Sequence, residues 1–224
     1  MSRRTASFGK SLELMLLRPH ASTVECRDFC GIALQHHVAA VCVAPTHLEA
    51  AVDCLRGTDV PVVALISHPF GADDAVVKAT ACRRAIEAGA KAVEVVVDLA
   101  AFASGRPNQV RDELRRCSFA AREANVEAMV RAVIETGAFD DRTLRLLLRA
   151  VVAADVDMVV TSSGLAPEAE GVLDIELVRE EVAGAIGIKA VRAARSALEV
   201  TALISAGATR VGVATADALQ STEH

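Results

Sequence analysis

A closed (β/α)8 barrel is the fold this sequence predicts, and three observations predict it. Short apolar runs rich in β-branched residues alternate with segments of helical periodicity from end to end, as parallel strands covered on both faces require. With the apolar run Leu12–Leu17 counted as a first strand, eight strands are present. The length of 224 residues suits one α/β unit of this kind, with a doubly wound open sheet as the runner-up.

The first strand is read from Leu12 to Leu17, and the second from Val38 to Val43. Val60–Ile66, Ala92–Val97, Glu127–Ile134 and Val156–Val160 supply the third to sixth. The shorter runs Ile186–Ala190 and Thr209–Val213 complete the set. Helical segments at 73–88, 108–124, 141–153 and 196–206 lie between them, and Gly89 and Gly207 stand where helix C-termini favour glycine. No low-complexity segment or linker interrupts the chain. A single domain over 1–224 is expected, with about the first ten residues (1–10) as a flexible tail.

Composition narrows the function. A net charge of −5 gives no electrostatic reason to bind nucleic acid, and the absence of Trp and Tyr removes the platforms on which bases stack. The six cysteines (Cys26, Cys30, Cys42, Cys54, Cys82, Cys117) form no Cys-x-x-Cys pair and lie in apolar segments, which reads as reduced thiols in a cytoplasmic protein. The basic start Met1–Ser7 has no apolar run behind it, and no stretch is long enough to span a membrane.

In such a barrel the chemistry sits at the carboxyl ends of the strands. Polar residues in or just after a strand are Glu13, Cys42, His68, Glu94, Asp98, Arg131, Glu135, Thr161, Ser162, Lys189, Arg192 and Thr215. Alternation places Glu94, Val96 and Asp98 on one face of the fourth strand, Arg131, Val133 and Glu135 on one face of the fifth, and Met158, Val160 and Ser162 on one face of the sixth. If these faces point inward, the mouth holds a carboxylate pair, an arginine and Lys189. Charge within a short barrel strand is costly unless paired, which favours Lys189 as a site residue over one that snorkels to solvent.

Glu94 and Arg131 read equally well as a structural ion pair. Cys42 reads first as a small hydrophobe, and His68 as an acid or base or as a solvated loop residue. His36 and His37, at a helix end, read as surface. Cys26 and Cys30 have the spacing of half a metal site, but no second pair accompanies them, so no metal is expected. The phosphate loop and the dinucleotide fingerprint are both absent, and no cofactor is expected.

Several motifs resemble the deoxyribose-phosphate aldolase family over nearly the whole chain. Leu16-Leu17-Arg18-Pro19 is similar to its Leu-Leu-Lys-Pro, His68-Pro69-Phe70-Gly71 to its Phe-Pro-x-Gly, and Ala40–Pro45 to its second strand. Gly89–Asp98 resembles Gly-Ala-x-Glu-Ile-Asp-Met-Val-Ile-Asn, Val133–Gly137 its fifth strand, and Thr161-Ser162-Ser163-Gly164 the end of its Lys-Thr-Ser-Thr-Gly. The resemblance implies a barrel aldolase with an imine-forming lysine on strand six, a second lysine on strand seven and a proton-transferring aspartate on strand four. By position these are Val160, Lys189 and Glu94. It also implies a Gly-Gly turn after strand seven and serines after strand eight for a sugar phosphate, where this chain has Arg192-Ala193 and Ala214-Thr215.

Three functional readings follow. The first is acid–base chemistry without an imine on a small carbonyl or anionic compound, with Lys189, Glu94, Asp98 and Glu135 as catalytic candidates. Glu13, Cys42, His68, Arg131, Val160, Thr161, Ser162, Arg192 and Thr215 would then line the substrate. The second moves the imine to Lys189. The third is a catalytically silent binding or regulatory barrel. Under any of them the expected partner is a second copy, as a homodimer, or an active relative.

Overall fold

The computed structural model describes residues 9–164, 171–192, 194 and 196–215. Eight parallel strands close into a barrel: β1 Leu12–Leu16, β2 Ala40–Val43, β3 Val62–Ile66, β4 Ala92–Val96, β5 Met129–Val133, β6 Met158–Val160, β7 Gly187–Val191 and β8 Arg210–Val213. The seam is real, because Leu12, Glu13 and Leu14 pair with Val211, Gly212 and Val213. Closure excludes the open sheet.

Helices α1 Thr23–Gln35, α2 Leu48–Leu55, α3 Ala75–Glu87, α4 Leu99–Ala103, α5 Pro107–Ala124, α6 Asp141–Val152, α7 Val172–Val182 and α8 Ala197–Ala206 surround the strands. Short polar residues start several of them. Ser22 and Glu25 form a reciprocal capping box on α1, and Asp74, Asp98, Asp140 and Ser196 accept from first-turn amides of α3, α4, α6 and α8.

The predicted second, third, fifth and sixth strands each begin two residues too early. Val38 N–H still donates to the Ala33 carbonyl and so closes α1, while Ala128 N–H donates to Asn125 in a turn before β5. Helix α4 was not anticipated. Of the expected flexible tail, residues 1–8 lie outside the described residues, and Gly9 is buried where an added Cβ would strike the His36 carbonyl.

Both faces of each strand are buried, for different partners. Outward residues such as Leu14, Val41, Val93, Val130 and Val159 join helix residues including Leu114, Leu147, Leu148 and Val178 in the main core. The inner face holds two smaller apolar groups, one centred on Met15, Cys42, Val63 and Leu65 and the other on Val96, Val133 and Val160.

One anchor outside the barrel escaped sequence reasoning. Lys78 of α3, fully buried, donates to the carbonyls of Gly71 at 2.6 Å and Val96 at 2.9 Å and pairs with Glu113 of α5 at 2.9 Å. Glu113 in turn accepts from Asp98 N–H. Burial raises the Glu113 carboxyl above its ordinary value despite the Lys78 ammonium. The pair ties two helices to the carboxyl end of β4.

Candidate active site at the barrel mouth and the charged layer beneath it

The third residues of β4, β5 and β7, with the second of β1, point inward and meet. Lys189 Nζ donates to Glu94 Oε1 at 2.7 Å and lies 2.8 Å from Glu13 Oε2 and 3.1 Å from Cys42 Sγ. Arg131 Nη1 donates to both Glu13 oxygens, at 2.9 and 2.7 Å, and to Glu94 Oε1 at 3.1 Å. Two carboxylates and two cations sum to zero. Arg210, the first residue of β8, adds a longer contact of 3.8 Å to Glu13 from the amino end of the barrel.

The quartet fixes its own charge states. Burial would raise the Glu13 carboxyl, but Lys189 and Arg131 outweigh it and hold it down at about 2. Burial opposes the Lys189 charge too. The carboxylates of Glu13 and Glu94 nonetheless keep its ammonium well above the ordinary lysine range. Arg131 is raised in the same sense by Glu13 and Glu94. Burial, reinforced by Glu94, pushes the Cys42 thiol up, so it stays protonated.

Sequence reasoning brought Glu94, Arg131 and Lys189 together, as observed, but put them in the mouth. They lie below it. The next inward residues, Met15 on β1, Val96 on β4, Val133 on β5 and Val160 on β6, roof the quartet with side chains that are themselves buried. Lys189 and Glu94 are both 0% exposed. The strand tilt that staggers the layers of a barrel interior separates this layer from the mouth.

Above the roof, a cavity of about 150 Å³ opens over β6, β7, β8 and β1. Its polar wall is Thr161, Ser162, Asp174 and Arg192, and its apolar wall includes Met15, Leu17, Ile175 and Val191. Ser162 Oγ donates to Glu135 at 2.9 Å, and the other Glu135 oxygen accepts from Ser163 N–H at 2.8 Å. Thr161 Oγ1 accepts from Val191 N–H, bracing β6 against β7. His68 Nε2 meets the Ser163 carbonyl at 2.9 Å, tying the β3 loop to the β6 loop.

Thr161, Ser162, Glu135, His68 and Arg192 lie at the carboxyl end of the barrel. Thr215 is exposed just beyond β8. Asp98 does not join them. β4 ends at Val96, so alternation no longer governs, and Asp98 turns to cap α4 through Ala101 N–H and to accept from Gln109. Sequence reading missed Asp174, whose carboxylate accepts from Thr136 Oγ1 at 3.0 Å and lines the cavity. It stands in the first turn of α7, where only the fold reveals that it faces strand ends.

Among the described residues, one group has oxygen and sulfur ligands close enough for a metal ion: Glu13, Cys42 and Glu94. The Lys189 ammonium lies among them. No described helix is long and apolar enough to cross a membrane.

A closed parallel barrel with a polar cavity at its carboxyl end defines the class of (β/α)8 barrels, and comparison with known proteins narrows it. The family model of the DeoC/LacD family aldolases matches residues 12–185, and the chain belongs to that family. A deoxyribose-phosphate aldolase of Streptococcus gordonii is 35% identical over 216 residues, covering 96% of each chain. Deoxyribose-phosphate aldolase 2 of Bacillus licheniformis is 35% identical over 88% of this chain and 86% of its own. Among solved structures, the aldolase QR15 superposes with a TM-score of 0.87 at 26% identity, over 94% of this chain and 93% of its own. The tetrameric deoxyribose phosphate aldolase of Aeropyrum pernix shares the fold, with a TM-score of 0.89 at 23% identity over 99% and 98% of the two chains.

Proposed function

We propose that this aldolase-family barrel acts on a small carbonyl or anionic compound in its mouth cavity, by acid–base chemistry that forms no imine. One observation carries the reading: the described barrel interior offers no neutral amine. The strand-six position of the imine-forming lysine in the resembled aldolases is Val160 here. Lys189 is clamped as an ammonium by Glu13 and Glu94. A carbon–nitrogen nucleophile must be unprotonated to attack a carbonyl. This reading departs from the ordinary cleavage of deoxyribose 5-phosphate that the names of its relatives suggest.

The cavity wall supplies the remaining chemistry. Arg192 at the end of β7 suits a carboxylate or similar anion. Asp174, and Glu135 acting through the Ser162 hydroxyl, are the proton-transfer groups nearest a ligand there. Lys189 and Glu94 hold the floor beneath. Homo-oligomerisation is part of the proposal, by analogy with the tetrameric relative.

Two assays test it. Deoxyribose 5-phosphate should not be cleaved, and borohydride with a small aldehyde should leave no adduct on Lys189. Turnover within tenfold of a typical roughly 10 per second, or a stoichiometric adduct lost in Lys189→Met, overturns the proposal.

A second reading is a binding barrel without turnover. It is favoured by the apolar roof that separates Lys189 and Glu94 from the cavity. Carbonyl or carboxylate compounds that raise the melting temperature without being converted would select it.

A further inference from the structure

Glu13, Cys42 and Glu94 come from three different strands, yet their ligand atoms all lie within 4.8 Å of one another. What fills the space between them is the tip of Lys189, at 2.8 Å from Glu13, 2.7 Å from Glu94 and 3.1 Å from Cys42. The arrangement is not saturated. Glu94 Oε2 is fully buried without a hydrogen-bond partner, so a ligand oxygen beyond those used by Lys189 and Arg131 is already in place. We propose that these three side chains form a cation site inside the barrel whose resident cation is the Lys189 ammonium, and that a soft divalent ion occupies the site once the ammonium is removed.

Charge and chemistry favour the exchange. In the native protein two carboxylates, Arg131 and Lys189 sum to zero around a neutral thiol. With Lys189 replaced by an uncharged residue and a divalent ion bound, the Cys42 S–H bond breaks, its proton leaves to solvent and a sulfur–metal bond forms. Two carboxylates, one thiolate, Arg131 and the ion again sum to zero. A thiolate with carboxylates selects zinc or cadmium over magnesium, which prefers oxygen ligands and retains its waters. Space is also provided. Lys189 Cε approaches to 2.7 Å of where a Cβ on Gly212 would stand, so truncating the lysine opens room for an ion and a water.

The probe is cadmium chloride, added to the wild-type chain and to Lys189→Ala. The variant should take up one Cd²⁺ per chain with an ultraviolet thiolate charge-transfer band, and its melting temperature should rise with Cd²⁺ or Zn²⁺ but not Mg²⁺. Wild type should show neither effect. Adding Cys42→Ser to Lys189→Ala should abolish the band, which separates this site from the other five cysteines. Where Lys189→Ala folds only poorly, refolding with and without Zn²⁺ reads the same property, with recovery expected only with the ion. Lys189→Ala/Glu94→Gln is the second variant. Glu13 and Arg131 balance in it, so it should fold without metal and bind Cd²⁺ at least tenfold more weakly. Absence of a Cys42-dependent band and of any metal-dependent gain in stability or recovery overturns the proposal. So does tight Cd²⁺ binding at the same place in wild type.

Discussion

Replacing Lys189 by methionine leaves Glu13 and Glu94 sharing one arginine in a closed interior. Breaking a buried pair from one side typically costs about 3–5 kcal/mol, and a loss of that size is expected in urea denaturation. Acid should act on the same quartet. Glu13 titrates near 2 when folded against an ordinary 4.5, so its contribution is present above 4.5 and is lost as pH falls toward 2. That difference corresponds to about 3 kcal/mol. The stability of wild type should drop between about pH 5 and about pH 2, and Glu13→Gln should flatten that drop while being less stable near neutrality.

Val160→Lys probes the opposite change. Its amine would enter the apolar layer of Val96 and Val133, beside the Lys189 position with which Val160 is in register. Desolvation and a neighbouring cation both depress a lysine pKa. The variant is expected to be less stable than wild type and to gain a borohydride-trapped adduct at residue 160; a variant without the adduct would refute this. Strand alternation put Glu94 and Arg131 each on one face of its strand, and the cost of an unpaired charge in a short strand singled out Lys189. Neither disclosed their depth, because which inward residue lies in which layer depends on the stagger between strands, and neither Glu13 nor Cys42 announces its partners.

At the scale of elements, the loop after β3 is held by contacts that leave no room for a side chain. Gly71 has φ 64°, and a Cβ there would run into the Val97 carbonyl. Gly71→Ala is expected to destabilise by more than about 1 kcal/mol, since strain and clash add. Lys78→Met should be costlier, about 3 kcal/mol or more, because it strands Glu113 in the interior and releases the Gly71 and Val96 carbonyls. Urea midpoints check both. Most strands were legible because a buried parallel strand is an apolar, β-branched run; β1, Leu-Glu-Leu-Met-Leu, has no β-branched residue and was legible only as an apolar run at the right place in the alternation. Their starts were less so where Val38 and Ala128 remain bonded to the preceding helix or turn. Lys78 gave no signal, since a lone lysine in a helix ordinarily lies on the solvated face.

For the whole molecule, the quartet joins β1, β4, β5 and β7, residues separated by as many as 118 positions among the bonded pairs of Arg131 alone. During synthesis the first six strands emerge with Glu13, Glu94 and Arg131 but without Lys189. That partial chain carries one uncompensated negative charge at the centre of the future interior, and drying it is unfavourable. A barrel of six strands therefore keeps water at its axis until β7 arrives, and about the last sixth of the chain, from Gly187 on, acts as the trigger for consolidation. Ribosome-stalled chains ending before Gly187 should remain protease-sensitive, and protection should appear in one step once Lys189 has cleared the exit tunnel.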